Sequence, residues 1–376
     1  MKPALSYISL WDAADRNKES GYPFSMREQL SKRFTIHDLF PLDYSQDRLW
    51  MPMRAAYRAV GKYYHPMREP VVLKHLARRV EKHLRTVRPQ AVFAPSSVPL
   101  SLVDSKLPRI FATDQLFGDF VETYIRSPAQ RFVRLGNAQE KRALDGAALA
   151  TYPSQWAGDS AVSRYGADRK KVAVIPWGAN LPATISQTDV DAAITKRLSG
   201  HCHLVFLGRD WMRKGGDLLV GTVEELNRLG LPTRATIIGC QPAGLSPRIF
   251  DIHPFLDKGR PDHFAILSSV MFGAHFLFLP SRAEAYGQAF CEAAAFGVPS
   301  IGSAVGGIPT IIQDGHTGYV RPPQTSPRQF ADIIVDTLSD KDRYARLARH
   351  AREDYRQRLN WDSFGGRLSD AIMTLV

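Results

Sequence analysis

Short apolar runs alternate along the whole chain with longer segments in which apolar positions recur every three or four residues. ALSYISLW, FTIHDLF, AVFAP, RIFAT, AALATYP and KVAVIPW all fall in the first half and are rich in β-branched and aromatic residues. Several are almost continuously apolar, as strands buried on both faces of a parallel sheet are. Between them FSMREQLSKR, VLKHLARRVEKHLRTV and WAGDSAVSRYG carry the helical period. The scheme then restarts with HLVFLG, DLLVGTVEELNRLG, RATIIG, HFAILSSVMFGA and HFLFLP. Such alternation predicts an α/β chain with right-handed crossovers. Residues 178–200 follow a strand, have weak periodicity and read as a linker. Domains are therefore expected at 1–180 and 181–360, with a charged helical stretch at the C-terminus.

A length of 376 residues with 44% hydrophobic content suits two domains with full cores. The chain has no apolar run near the roughly 18 residues of a membrane-spanning helix. Its start, MKPALSYISLWDAADRNKES, has too short an apolar run for a signal peptide and reads as a first strand. Cys202, Cys240 and Cys291 are scattered, as core thiols of a reducing compartment would be. His201 and His203 point away from Cys202 on an alternating strand, which disfavours a metal site. A cytoplasmic protein is expected.

Charge is distributed unevenly. Residues 1–180 hold 28 Lys+Arg against 17 Asp+Glu, whereas residues 181–376 hold 21 against 20. Arg48, Arg54, Arg58, Lys62, Arg68, Lys74, Arg78, Arg79, Lys82, Arg85 and Arg88 form a basic run broken only by Glu69 and Glu81. The run suits a solvated helix face, a surface for anionic lipid, or a site for nucleic acid or another polyanion, the last being the least expected. Val71, Val72, Leu73, Leu76, Val80 and Leu84 recur beside it at helical spacing. Helices over 48–88 that meet an anionic membrane are the expectation; the alternative is that the apolar face packs on the sheet.

Three strand-end loops of the second half carry chemistry. In SRAEAYGQAFCEAAAFG, Glu284 lies in a turn and Glu292 on the helix that follows. Free N–H groups at Tyr286, Gly287 and Gln288 would make an anion site there, and carboxylates accept hydrogen bonds from hydroxyls. In GRDWMRKGG, Arg209 and Lys214 bracket a loop before a helix, a pairing suited to a diphosphate. In GSAVGGIPTIIQDGHTGYV, Gly306 and Gly307 suggest close backbone approach. The first half contributes Asp114 at a strand end in IFATD, and Gly21 in the loop ESGYPFSM. Asp114 could be a base, a ligand or a helix cap. No Walker loop is present, nor a GxGxxG after the first strand.

Together GRDWMRKGGDLL, LPSRAEAYGQAFCEAAAFGVPSIGSAVGGIP, DGHTGYV and YPSQWAGDSAVSRYG–KVAVIPWGAN resemble the retaining GT-B glycosyltransferases of the group-one (family four) type. The resemblance covers roughly residues 146–322. It implies two Rossmann-like domains facing each other across a cleft, the first binding the acceptor. The C-terminal helix 361–376 would pack back on that domain. It implies a nucleotide-diphosphate-sugar donor as substrate, no cofactor, no metal, and transfer with retention to a glycan or lipid-linked acceptor. Arg209 and Lys214 would grip the diphosphate, Glu292 the ribose, and Glu284 with the turn N–H groups the sugar and phosphate. The loop 251–257 would meet the base near Phe255 and Leu256, and Asp114 stands where the family often has histidine. An epimerase or phosphorylase of the same fold remains an alternative, to be separated by the need for an acceptor. So does a non-catalytic sugar or polyanion binder.

Overall fold

The computed structural model describes residues 2–42, 49–199 and 201–376. Arg48 of the basic run and Gly200 of the expected linker lie outside them. Two compact units result, Met1–Pro176 with Phe364–Val376, and Trp177–Ser363.

The first unit holds a parallel sheet of β1 (Ala4–Ile8), β2 (Thr35–Leu39), β3 (Ala91–Ala94), β4 (Arg109–Ala112), β5 (Leu149–Tyr152) and β6 (Val172–Val174). Their order is β2-β1-β3-β4-β5-β6. The second unit's sheet consists of β7 (Cys202–Leu207), β8 (Thr233–Ile238), β9 (Phe250–His253), β10 (Phe276–Leu279), β11 (Ser300–Ser303) and β12 (Gly318–Arg321). These are also parallel, ordered β12-β11-β10-β7-β8-β9. The chain winds outward from β7 to β9, then crosses back and winds the other way from β10. That reversal leaves the carboxyl ends of β7 and β10 side by side, with their following helices on opposite faces. A crevice at such a switch point is where open α/β sheets bind ligands.

The central strands are buried throughout, AVFA at β3 and FLFL at β10 among them. This explains why they read as unbroken apolar runs. Three departures from the sequence reading have local causes. The expected linker contains a helix, Gln187–Arg197, started by the Ser186 side chain accepting from Asp189 N. Its apolar face is thin, only Val190, Ala193 and Ile194, so periodicity did not reveal it. The loop after β1 ends at Gly21, and Tyr22–Ser31 is already helical. Residues 251–253 are the end of β9, so the loop expected to meet the base starts at Pro254. Cys202 and Cys291 are buried thiols pushed up to about 12 by burial, while Cys240 is only half-buried.

The basic run has its two faces separated by the fold. Val72, Leu73, Leu76, Val80 and Leu84 of the helix Pro70–Val87 are buried in the first unit's core, and of the six apolar residues only Val71 is exposed. Lys74, Arg78, Lys82, Arg85 and Arg88 lie exposed on the opposite side. The apolar stripe holds the helix to the sheet, so it is not available to a membrane.

Glu140 is buried in the same unit, on the helix Gln130–Gly146. Ser97 Oγ donates to its Oε2 at 2.8 Å, and its Oε1 has no hydrogen-bond partner among the described residues. Burial raises its carboxyl from 4.5 to about 7, and Asp119 adds to the rise; Arg68 opposes it. A raised acid holds its proton in the folded state between those two values, so its contribution is full below 4.5 and lost as pH climbs to about 7. The shift corresponds to on the order of 3 kcal/mol. Glu140→Gln, which cannot ionise, is therefore expected to gain stability over the native protein as pH rises from 5 to 8. Thermal unfolding across that range measures it, and a constant gap would show that Glu140 does not titrate there.

Candidate functional site

The site of the second unit is built where β7 and β10 end together. Gly208–Gly215 follows β7 and brings in Lys214; Pro280–Gly287 follows β10 and brings in Glu284. Both side chains are nearly buried, at 9% and 8% exposure, and Lys214 Nζ donates to Glu284 Oε2. Arg213 Nη1 lies 3.8 Å from the same oxygen and donates to Ala283 O at 2.8 Å. The two loops are joined by Arg282 N donating to Arg213 O at 2.7 Å. Gly215, with φ of 79°, caps the helix Gly216–Arg228, and any Cβ there would run into Pro280 O. Glycine is thus required for the first loop to lie against the second.

Gly287, with φ of 95°, begins the helix Gln288–Ala295 beside Glu284. The Tyr286 hydroxyl is turned inward and donates to Trp177 O at 3.0 Å, so Tyr286 offers its backbone to this turn. Gln288 Nε2 reaches Gly178 O at 3.5 Å. One turn further on, Glu292 is 2% exposed. Lys258 Nζ donates to its Oε1, whereas Oε2 is buried with no hydrogen-bond partner among the described residues. Lys258 belongs to the loop Pro254–Arg260, as do half-buried Leu256 and Phe255, which is 54% exposed. The Arg209 guanidinium sits 5.3 Å above the Phe255 ring.

Lys214, Glu284 and the Gly287 turn are thus brought together, and Glu292 lies on the same short helix. Arg209, expected beside Lys214 on a diphosphate, stands over Phe255, and Arg213 is the cation that accompanies Lys214. The contacts of Arg213 and Lys258 with these carboxylates were not foreseen. Arg213 adjoins Lys214 in the sequence, but spacing alone does not tell which member of RDWMRK turns inward. Lys258 had no signal, because its partner is 34 residues away on another element.

In the first unit Asp114 follows β4 and Gly21, with φ of 81°, ends the turn after β1. Burial pushes the hydroxyl of Tyr22, next to Gly21, well up, and the Asp114 charge adds to it. Asp114 and the Gly21 turn each follow a strand of that parallel sheet, at its carboxyl edge.

Residues 201–340 match the family described as Glycosyl transferases group 1. The match falls within the second unit. Among curated proteins, the D-inositol 3-phosphate glycosyltransferase of Xylanimonas cellulosilytica is 29% identical over 228 residues, covering 56% of this chain and 52% of that one. The protein of the same description from Nocardia farcinica is 32% identical over 212 residues, covering 50% and 45%. The chain spans about half the length of the curated relatives it matches. Two solved structures match over nearly the full length of both chains. Sucrose-phosphate synthase from Thermosynechococcus elongatus has a TM-score of 0.70 at 17% identity, covering 100% of this chain and 99% of that one. Anabaena Alr3699/HepE in complex with UDP has 0.67 at 14%, covering 100% of each. At such identities they share the fold, which is the GT-B fold of glycosyltransferases.

Proposed function

We propose that the protein is a glycosyltransferase that takes a sugar from a nucleotide-diphosphate-sugar bound to the second unit. The observation that carries this reading is the Lys214–Glu284 pair, with Arg213 beside it, at the switch point of the sheet and at the start of the helix Gln288–Ala295. Two cations and a helix N-terminus can meet the charge that develops on a departing diphosphate without a metal. Glu284 and the N–H groups of the Gly287 turn hold the sugar and phosphate, and Glu292 accepts from the ribose. Transfer is front-face and retaining. The bond from the anomeric carbon to the diphosphate oxygen breaks, the acceptor oxygen bonds on the same face, and its proton leaves with the diphosphate. Binding of UDP by the Anabaena neighbour, as described for that protein, supports a nucleotide donor. Donor hydrolysis across UDP-, GDP- and ADP-sugars, with and without excess chelator, tests the reading. No turnover or binding of any of them would refute it, and loss of activity on chelation would refute metal independence.

The acceptor is a glycan or a lipid-linked glycan taken by the first unit, at the sheet edge that carries Asp114 and the Gly21 turn. An anionic membrane surface is proposed as the place of encounter. The helix Met51–Ala59 has no buried residue, and exposed Leu49, Met51 and Val60 share its stretch of chain with exposed Arg58 and Lys62. Salt-sensitive co-sedimentation with anionic but not neutral vesicles is the expected result, and equal binding to both would rule it out.

A further inference from the structure

The two oxygens of Glu292 are treated differently. Lys258 holds Oε1, and Oε2 is buried with no hydrogen-bond partner among the described residues. A carboxylate can accept about four hydrogen bonds, and a buried charged oxygen left bare is costly. Lys258 reaches Glu292 from a separate element, the loop between β9 and the helix Pro261–Gly273. That loop is tied around Asp257, whose N–H donates to His263 Nδ1 and whose Oδ1 accepts from Gly259 N, each at 2.9 Å. Three residues before Lys258, Phe255 presents an open ring with Arg209 over it. One loop thus carries both the counter-ion of a buried acceptor and an exposed aromatic face.

We propose that Lys258 is the positioning residue for the nucleotide's ribose. It pairs with the carboxylate and fixes Oε1, so that Oε2 becomes the acceptor for one ribose hydroxyl. It also links that contact to the loop whose Phe255 ring lies open to the base. A ribonucleotide completes the carboxylate, whereas a nucleotide lacking that hydroxyl leaves Oε2 bare. This inference rests on the donor-binding reading of the second unit and adds to it the residue that enforces a ribose.

Calorimetry on the full chain tests it. UDP, GDP and ADP are titrated first, and the tightest is compared with its 2′-deoxy and 3′-deoxy forms. The native protein is expected to disfavour one deoxy form by about tenfold or more, the scale of one hydrogen bond to a charged group. Lys258→Met is expected to bring that ratio within about threefold, and Lys258→Arg to keep it. The double variant Lys258→Met, Glu292→Gln has no bare charge and should fold; its ratio is expected to be lost equally. A full ratio in Lys258→Met, or none in the native protein, overturns the role of Lys258 and leaves the donor site standing. Failure of every nucleoside diphosphate to bind the native chain overturns both.

Discussion

Lys214→Ala is expected to weaken binding of nucleoside diphosphates and to destabilise the second unit at the same time. The two losses have different origins. A charge-assisted contact to a phosphate contributes about 1.5–3 kcal/mol, or roughly a 10- to 150-fold change in affinity. The stability loss comes from Glu284, which stays behind as a carboxylate 8% exposed without its closest cation. Removing one partner of a buried pair costs about 3–5 kcal/mol. Arg213, 3.8 Å from the same oxygen, already shares the charge, so the lower end is expected. The double variant Lys214→Met, Glu284→Gln separates the effects, because it removes both charges together. It should regain most of the stability and none of the affinity. Unfolding midpoints and calorimetry on the two variants measure this, and unchanged affinity for every nucleoside diphosphate in Lys214→Ala would sink the diphosphate assignment.

Gly306→Ala is expected to reduce turnover by about a hundredfold, the scale of a displacement near 1 Å at a reacting centre. Gly306 has φ of 50°, where non-glycine residues are strained, and an added Cβ would collide with the carbonyl oxygen of Glu284. The obstacle is backbone, so no side-chain rotation relieves it. Gly307 N donates to Ala285 O at 3.0 Å, which ties the same segment to the other side of Glu284. The methyl group must therefore push the 284–285 backbone away or break that hydrogen bond, and either shifts the Glu284 carboxylate. Steady-state kinetics with the donor found by screening measures the loss, alongside a thermal unfolding curve to exclude simple unfolding. Native turnover in a folded Gly306→Ala protein would show that Glu284 does not depend on this contact.

Gly306 was legible in the sequence as a place of close approach, but what it approaches was not. The same holds for the charges. Lys214 and Glu284 stood out because each follows an apolar strand and precedes a helix, a local pattern. Arg209 stood out for the same reason and was expected on the diphosphate; its packing over Phe255 was not foreseen. A loop residue's direction depends on what it can pack against, and Phe255 is 46 residues away in a loop whose start was read three residues early. Lys258 illustrates the limit most clearly. Nothing near it in the chain distinguishes it from the other cations; only the fold sets it, from a loop, against a buried carboxylate on a helix.

The amino-acid order by itself determined the two parallel sheets, because strands buried on both faces must be continuously apolar and the helices between them must carry one apolar stripe. It determined that carboxylates and cations lie at strand ends and that glycines stand where helices begin. The tertiary structure alone decided which strand ends are neighbours. The chain reverses its winding between β9 and β10, and this places β10 against β7, so residues 70 positions apart become an ion pair. It also decided that the apolar stripe of Pro70–Val87 faces the core and its cations face solvent. An amphipathic period specifies that a helix has two faces. Only the surface it packs against settles which of them is left free.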